Sequence, residues 1–202
     1  MDQFFASYLI ELEWLHADIK AALRGLPPTA LAWEPGREMN SIGILVVHLT
    51  GAERYLVGDI AAGEPSGRDR PAEFHPQDLD VQALEARLDN SFAYIQQVLS
   101  RISLDDLSKP GFAHHHGETV SIGWALLHAL SHTGLHLGQI QLTRQLWEQL
   151  HAGLMFKEQE AVMSVAVSDT VILITHNGMG EGESALQQCN FTLDPGCQLG
   201  RG

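Results

Sequence analysis

The stretch Leu127-His128-Ala129-Leu130-Ser131-His132-Thr133-Gly134-Leu135-His136-Leu137-Gly138-Gln139-Ile140 decides how this chain folds. His128, His132 and His136 recur every four residues, so they stack on one face of an α-helix over two turns. The rest of that face is apolar, with Trp124 and Ile140 continuing it. An apolar face turns toward a core, where several imidazoles together are costly if charged. The pattern predicts a helix over about 119–150, capped by Ser121 or Thr119, with its histidines pointing inward.

Three further segments carry the same period. Residues 4–24 place Phe5, Leu9, Leu12, Ile19 and Leu23 on one face and end at Gly25 before Pro27-Pro28. Residues 41–61 carry Ile42, Leu45, Val46, Leu49, Leu56 and Ile60 behind an Asn40 or Ser41 cap. Residues 80–101 carry Leu84, Leu88, Phe92, Ile95, Val98 and Leu99. Four amphipathic helices with no convincing strand before residue 160 predict an all-α four-helix bundle. The connections at 27–40, 63–78 and 103–118 are long, which permits a crossover topology and lets loops fold over one bundle end. The charged, proline-bearing segment 63–78 reads as a solvated linker. The expected division is a bundle at 1–152 and a C-terminal extension at 153–202. That extension carries a strand signal at Thr170–Thr175 and a Gly-rich turn at Gly178, Gly180 and Gly182. The turn faintly resembles the opening of a DsrE-like sulfurtransferase unit.

Composition narrows the function. Among 202 residues, 25 are acidic and 12 are Lys or Arg, a formal charge of −13, which argues against nucleic acid and anionic membrane as partners. No apolar run is long enough to span a bilayer. Met1-Asp2-Gln3 lacks a basic flank, so no secretory signal is expected and the expected location is the cytoplasm. The only thiols, Cys189 and Cys197, lie in the extension, so the bundle has no cysteine nucleophile or ligand. Histidine is abundant, with 11 residues, which directs attention to metal or proton chemistry.

His132 and His136, four apart on a helix, can supply two ligands to one metal ion. The pattern differs from the zincin motif, because Thr133 stands where that motif needs glutamate. The third ligand should come from another helix, and His48 is alone in the apolar run Ile44-Leu45-Val46-Val47-His48-Leu49. Three imidazoles without cysteine suit Zn, Ni, Co or Fe(II), and three protein ligands leave a position open. A core histidine with an ordinary hydrogen-bond partner is the competing reading for each position taken singly.

Together these residues resemble a known family. Ser41-Ile42-Gly43 opening a helix, then His48 and Glu53, then His132-x3-His136-x-Gly138-Gln139-Ile140 look like the DinB/YfiT-like superfamily of metalloenzymes. The Trp33-Glu34-Pro35-Gly36 loop and the Thr119–Trp124 lead-in fit as well, and the resemblance covers roughly 4–150. It departs where the family has a second histidine and a basic residue around the last ligand; here stand Leu135 and Leu137, which should make the pocket more apolar. The resemblance implies a divalent metal, foremost Zn or Ni, on His48, His132 and His136, often in a homodimer. Its better-understood relatives, bacillithiol S-transferase and mycothiol-dependent maleylpyruvate isomerase, imply a low-molecular-weight thiol and an electrophilic substrate as partners. The expected function is thus a metal-dependent thiol S-transferase. Hydrolysis by a metal-bound hydroxide and a non-catalytic metal-binding stress-response role stand as alternatives.

The neighbours of the ligands supply the expected catalytic groups. His128, one turn before His132, is a candidate acid or base, with a pKa suited to the task if it lines the pocket. Tyr55, seven residues after His48, shares its face and is a candidate proton or hydrogen-bond donor. Glu53 is turned about 140° from His48 on a 3.6-residue helix and reads as an ion-pairing residue near Arg54. Gln139 reads as structural, His16 as a weak pocket candidate, and His114-His115-His116 as a solvated loop or a lid. Gly134 and Gly138 are expected to allow close helix approach.

Overall fold

The computed structural model describes residues 2–77 and 79–176, those from 153 onward by backbone alone. Each long helix starts where a short polar side chain can take up an unpaired amide. Asp2 accepts from Phe4 N at 2.9 Å and opens α1, Gln3–Leu23. A short α2, Pro28–Ala32, follows directly on Pro27 and occupies part of the expected 27–40 loop. Ser41 accepts from Ile44 N and opens α3, Ile42–Glu53, which continues as wider π-helical turns over Arg54–Ala62. That segment stops at Gly63, whose φ of 68° is left-handed. Asp80 caps α4, Val81–Leu99, and Ser121 caps α5, Ile122–His176. The chain divides into two units, Met1–Met155 and Phe156–Gly202, and the bundle lies in the first.

The core of the bundle is split in two. One apolar cluster takes Phe5 and Leu12 from α1, Leu56 and Ile60 from the π-turns, Ile95 and Leu99 from α4, and Leu126 and Ala129 from α5. The other takes Ile19 and Leu23 from α1, Leu45 and Leu49 from α3, Leu84 and Leu88 from α4, and Ile140 from α5. The order in which each helix visits the clusters gives its direction: α1 and α5 run one way, α3 and α4 the other. Parallel α3 and α4 need a crossover, and residues 63–80 supply it, as the long loop permits. Between the clusters each of the four long helices contributes one polar residue: His16, Glu53, Ser91 and Thr133. At one end Arg144 of α5 donates to the carbonyls of Ala21, Ala22 and Arg24, closing the unpaired C-terminus of α1.

Two expectations change. The crossover is no solvated linker throughout: Pro71–Phe74 forms a 3₁₀ turn that buries Glu73. Thr170–Thr175 is helical, not a strand, because it lies within α5. Its β-branched residues favour strands only weakly in isolation. No glycine or proline interrupts 154–176, and extending an existing helix avoids the cost of nucleation. Gly178, Gly180, Gly182, Cys189 and Cys197 lie outside the described residues. Among the described residues there is no β-sheet, and no helix is long and apolar enough to cross a membrane.

Candidate metal centre

Imidazoles from two helices converge beside the polar layer. His48 stands on α3, and His132 and His136 stand one turn apart on α5. One ring nitrogen of each lies within 4.8 Å of the others. Burial pushes the pKa of all three below the ordinary histidine value; for His132, burial and the neighbouring imidazoles press it down to about 3. All three are therefore neutral at neutral pH, which is the form that can donate a lone pair to a cation.

The outer nitrogens are fixed by specific acceptors. His48 Nδ1 donates to Glu73 Oε2 at 2.9 Å, and His136 Nδ1 donates to Gln139 Oε1 at 2.6 Å. Both contacts leave Nε2 as the free nitrogen. Glu73 is in turn clamped by Arg68, whose Nε and Nη2 donate to its two oxygens at 2.6 and 2.8 Å. Gly51 makes room for that carboxylate: a Cβ there would sit 2.2 Å from Glu73 Oε1. His132 Nε2 faces His136 Nε2 at 3.2 Å, while His132 Nδ1 is buried with no partner. His132 Nδ1 lacks a partner in either tautomer, and when it carries the proton two Nε2 lone pairs face each other. A divalent cation against the Nε2 atoms would take up the lone pairs that face each other, so the three Nε2 donors fit a metal.

A cavity of about 330 Å³ opens onto His48 and His132. Its wall includes both expected catalytic groups, His128 and Tyr55. His128 stacks on Trp124 at 4.5 Å between ring centroids, and burial and His116 lower its pKa. The Tyr55 hydroxyl donates to the His114 carbonyl, tying the triple-histidine loop to the site. His115 and His116 then reach the cavity wall.

Several sequence expectations shift in detail. Glu53 is a buried acceptor, not an ion-pairing partner near Arg54: His16 Nε2 donates to it at 2.9 Å, Thr133 Oγ1 at 2.7 Å, and Ser91 Oγ donates as well. His16 belongs to that pair and does not line the cavity. Gln139 orients His136 instead of serving only the bundle. Leu135 is exposed and Leu137 packs in the core, so neither makes the cavity apolar. Gly134 and Gly138 permit no unusually close approach: a Cβ at Gly138 would meet nothing within 4 Å, and one at Gly134 only Leu15 at 3.8 Å. Sequence reasoning missed Glu73 and Arg68, which lie far from His48 along the chain. The available signal was Gly51, a glycine inside α3 one turn after His48.

Residues 11–140 match the family described as the DinB superfamily. A conserved protein from Enterococcus faecalis has a similar structure, with 16% identity and a TM-score of 0.58, covering 72% of this chain and 98% of its own. YfiT from Bacillus subtilis, described as a probable metal-dependent hydrolase with an unusual four-helix bundle topology, has 15% identity and a TM-score of 0.56. That match covers 72% of this chain and 89% of YfiT. No curated protein matches.

Proposed function

The chain belongs to the DinB superfamily, and from that premise we propose that it is a divalent-metal-dependent enzyme, in its leading form a thiol S-transferase. The observation that carries this reading is the convergence of three neutral imidazoles, each within 4.8 Å of the others, beside a cavity. His48, His132 and His136 would hold Zn or Ni, with Fe or Co as alternatives. The cation would supply Lewis-acid charge that stabilises a thiolate at neutral pH.

The chain's own residues would do the rest. Glu73 and Gln139 hold two rings so that Nε2 points inward. His128, neutral because burial lowers its pKa, accepts the proton from the incoming thiol. Sulfur then bonds to the electrophilic carbon, and the leaving group departs with its electron pair. Tyr55 keeps the His114–His116 loop against the cavity and so limits the access of water. The thiol comes from solution, since both cysteines lie outside the bundle. A second reading, hydrolysis, is favoured by the description of the Bacillus subtilis structure. Exposed Leu127, Leu135 and Leu142 on α5 support a homodimer, which light scattering would detect.

Elemental analysis of untagged protein tests the metal. About one Zn, Ni, Co or Fe per chain is expected, and its loss in both His48→Ala and His132→Ala. Retention of metal in both variants sinks the assignment. With metal established, conjugation of an electrophile that requires added thiol supports transfer. Thiol-independent cleavage of an ester supports hydrolysis, and neither activity in loaded protein supports a metal-binding role without turnover.

A further inference from the structure

The cavity that opens onto His48 and His132 differs in charge from the rest of this acidic chain. Three other cavities, of about 730, 450 and 140 Å³, each carry an acidic side chain: Asp69 and Glu73, Asp106, and Glu38 respectively. The 330 Å³ cavity carries none, although acids outnumber Lys and Arg 25 to 12 in the chain. Its wall holds Arg68 and Arg70; the 730 and 450 Å³ cavities carry basic side chains too, but there acids stand among them.

The two arginines are not equivalent. Arg68 is spent on Glu73, with two hydrogen bonds that neutralise it and brace His48. Arg70 makes no hydrogen bond or ion pair through its side chain among the described residues. It lies over the Phe74 ring, 5.3 Å from its centroid, and the same ring lies 5.2 Å from the His48 ring. Arg70 is thus held one aromatic ring away from the ligand cluster, at the exposed rim, with its fork of donors engaging no polar group among the described residues. The same wall holds His115 and His128, both with pKa values lowered by burial and neighbouring charge, hence neutral donors or acceptors. A wall with a guanidinium that has no partner among the described residues, neutral imidazoles and no described carboxylate favours a small anion over a neutral or cationic molecule.

We propose that the substrate bound here carries a carboxylate, and that Arg70 receives it. The location rests on the enzyme reading above, but the recognition does not depend on bound metal. Either the thiol or its electrophilic partner can bring the carboxylate.

Calorimetric titration of the full-length chain, metal-loaded and metal-free, separates these sources. The probes are two matched pairs, 3-mercaptopropionate against 3-mercaptopropanol and succinate against succinamide. In at least one pair the carboxylate is expected to bind about tenfold more tightly than its neutral partner at low salt, with the preference shrinking as ionic strength rises. Arg70→Gln should erase the preference while leaving metal content and thermal midpoint unchanged, because the side chain is exposed; Arg70→Lys should restore part of it. The pair that responds identifies the substrate bearing the charge. A preference that persists in metal-free protein and still vanishes in Arg70→Gln upholds the proposal even if the metal assignment fails. The proposal is overturned if the wild type shows no preference in either pair, or if Arg70→Gln keeps the full preference, which would place the carboxylate on the metal alone.

Discussion

Two carboxylate–imidazole pairs lie side by side in this bundle and do different things. His48 with Glu73 and His16 with Glu53 both have nitrogen–oxygen distances of 2.9 Å, and all four residues are buried. His48 and Glu53 even share a helix, five residues apart. The difference lies in what each pair leaves over. Glu53 accepts from three helices, through His16, Ser91 and Thr133, and joins them across the boundary between the two apolar clusters. Glu73 comes from the crossover, is clamped by Arg68, and leaves His48 Nε2 free beside two more imidazoles and a cavity. One pair closes a core; the other orients a ligand. The identity of the residues does not distinguish them, but the atom left without a partner on the cavity side does.

Exchanging the two acids should separate stability from metal binding. Glu53→Ala strands three donors, His16 and Thr133 buried and Ser91 half-buried, and should cost about 3–5 kcal/mol, read as a shift in urea midpoint. Protein that remains folded should keep its metal. A Glu53→Ala protein of normal stability that has lost its metal would reverse the roles assigned here. Glu73→Gln should act the other way round: metal affinity falls about 10–100-fold in chelator competition, with a much smaller change in metal-free stability. Equal losses in both readouts for both variants would mean that the two pairs are one network.

The helices of both regions were legible in the sequence because they follow period and caps. Ser41, Asp80 and Ser121 all cap where short polar residues precede apolar stripes. The three histidines were legible for the same reason: His132 and His136 share a face by spacing, and His48 is the odd residue in an apolar run. The polar layer was not, because Glu53 is surrounded by residues that make a surface ion pair equally reasonable until the partner helices are placed. Glu73 and Arg68 were hidden for a different cause. They sit in a segment whose prolines and charges describe a solvated loop, and only the crossover topology brings them over His48. Likewise Thr170–Thr175 has strand composition, and continuity with the preceding helix overrides it.

Acid should weaken the metal-free protein through the ligand cluster. The folded-state pKa of His132 is pressed down to about 3, while the unfolded chain titrates near 6.5. Between those values the unfolded state binds the proton and the folded state does not, so stability falls as pH drops. The contribution is complete above pH 6.5 and is lost progressively toward pH 3, at up to about 1.4 kcal/mol per pH unit for this one group. His48 and His136 are lowered too and act in the same direction. Urea melts in the presence of chelator at pH 7.5, 6 and 5 should show the slope, and His132→Ala should flatten it. An unchanged slope in that variant would move the acid sensitivity to another part of the molecule.

The smallest effect tests the link between the crossover and α3. Gly51→Ala should by propensity alone stabilise a helix interior by up to about 1 kcal/mol. Here the added Cβ would lie 2.2 Å from Glu73 Oε1 and 2.8 Å from its Cδ, so the carboxylate must shift from the place where it meets His48. Two consequences oppose each other in stability and should nearly cancel. In metal affinity they do not: displacement of Glu73 loosens the His48 ring, and a loss of a few-fold, within tenfold, is expected. The decisive comparison is non-additivity. If Gly51 acts through Glu73, adding Gly51→Ala to Glu73→Gln should cost no more affinity than Glu73→Gln alone, because the contact is already gone. Additive losses would show that Gly51 serves α3 by some other contact, and that the crossover carboxylate has room of its own.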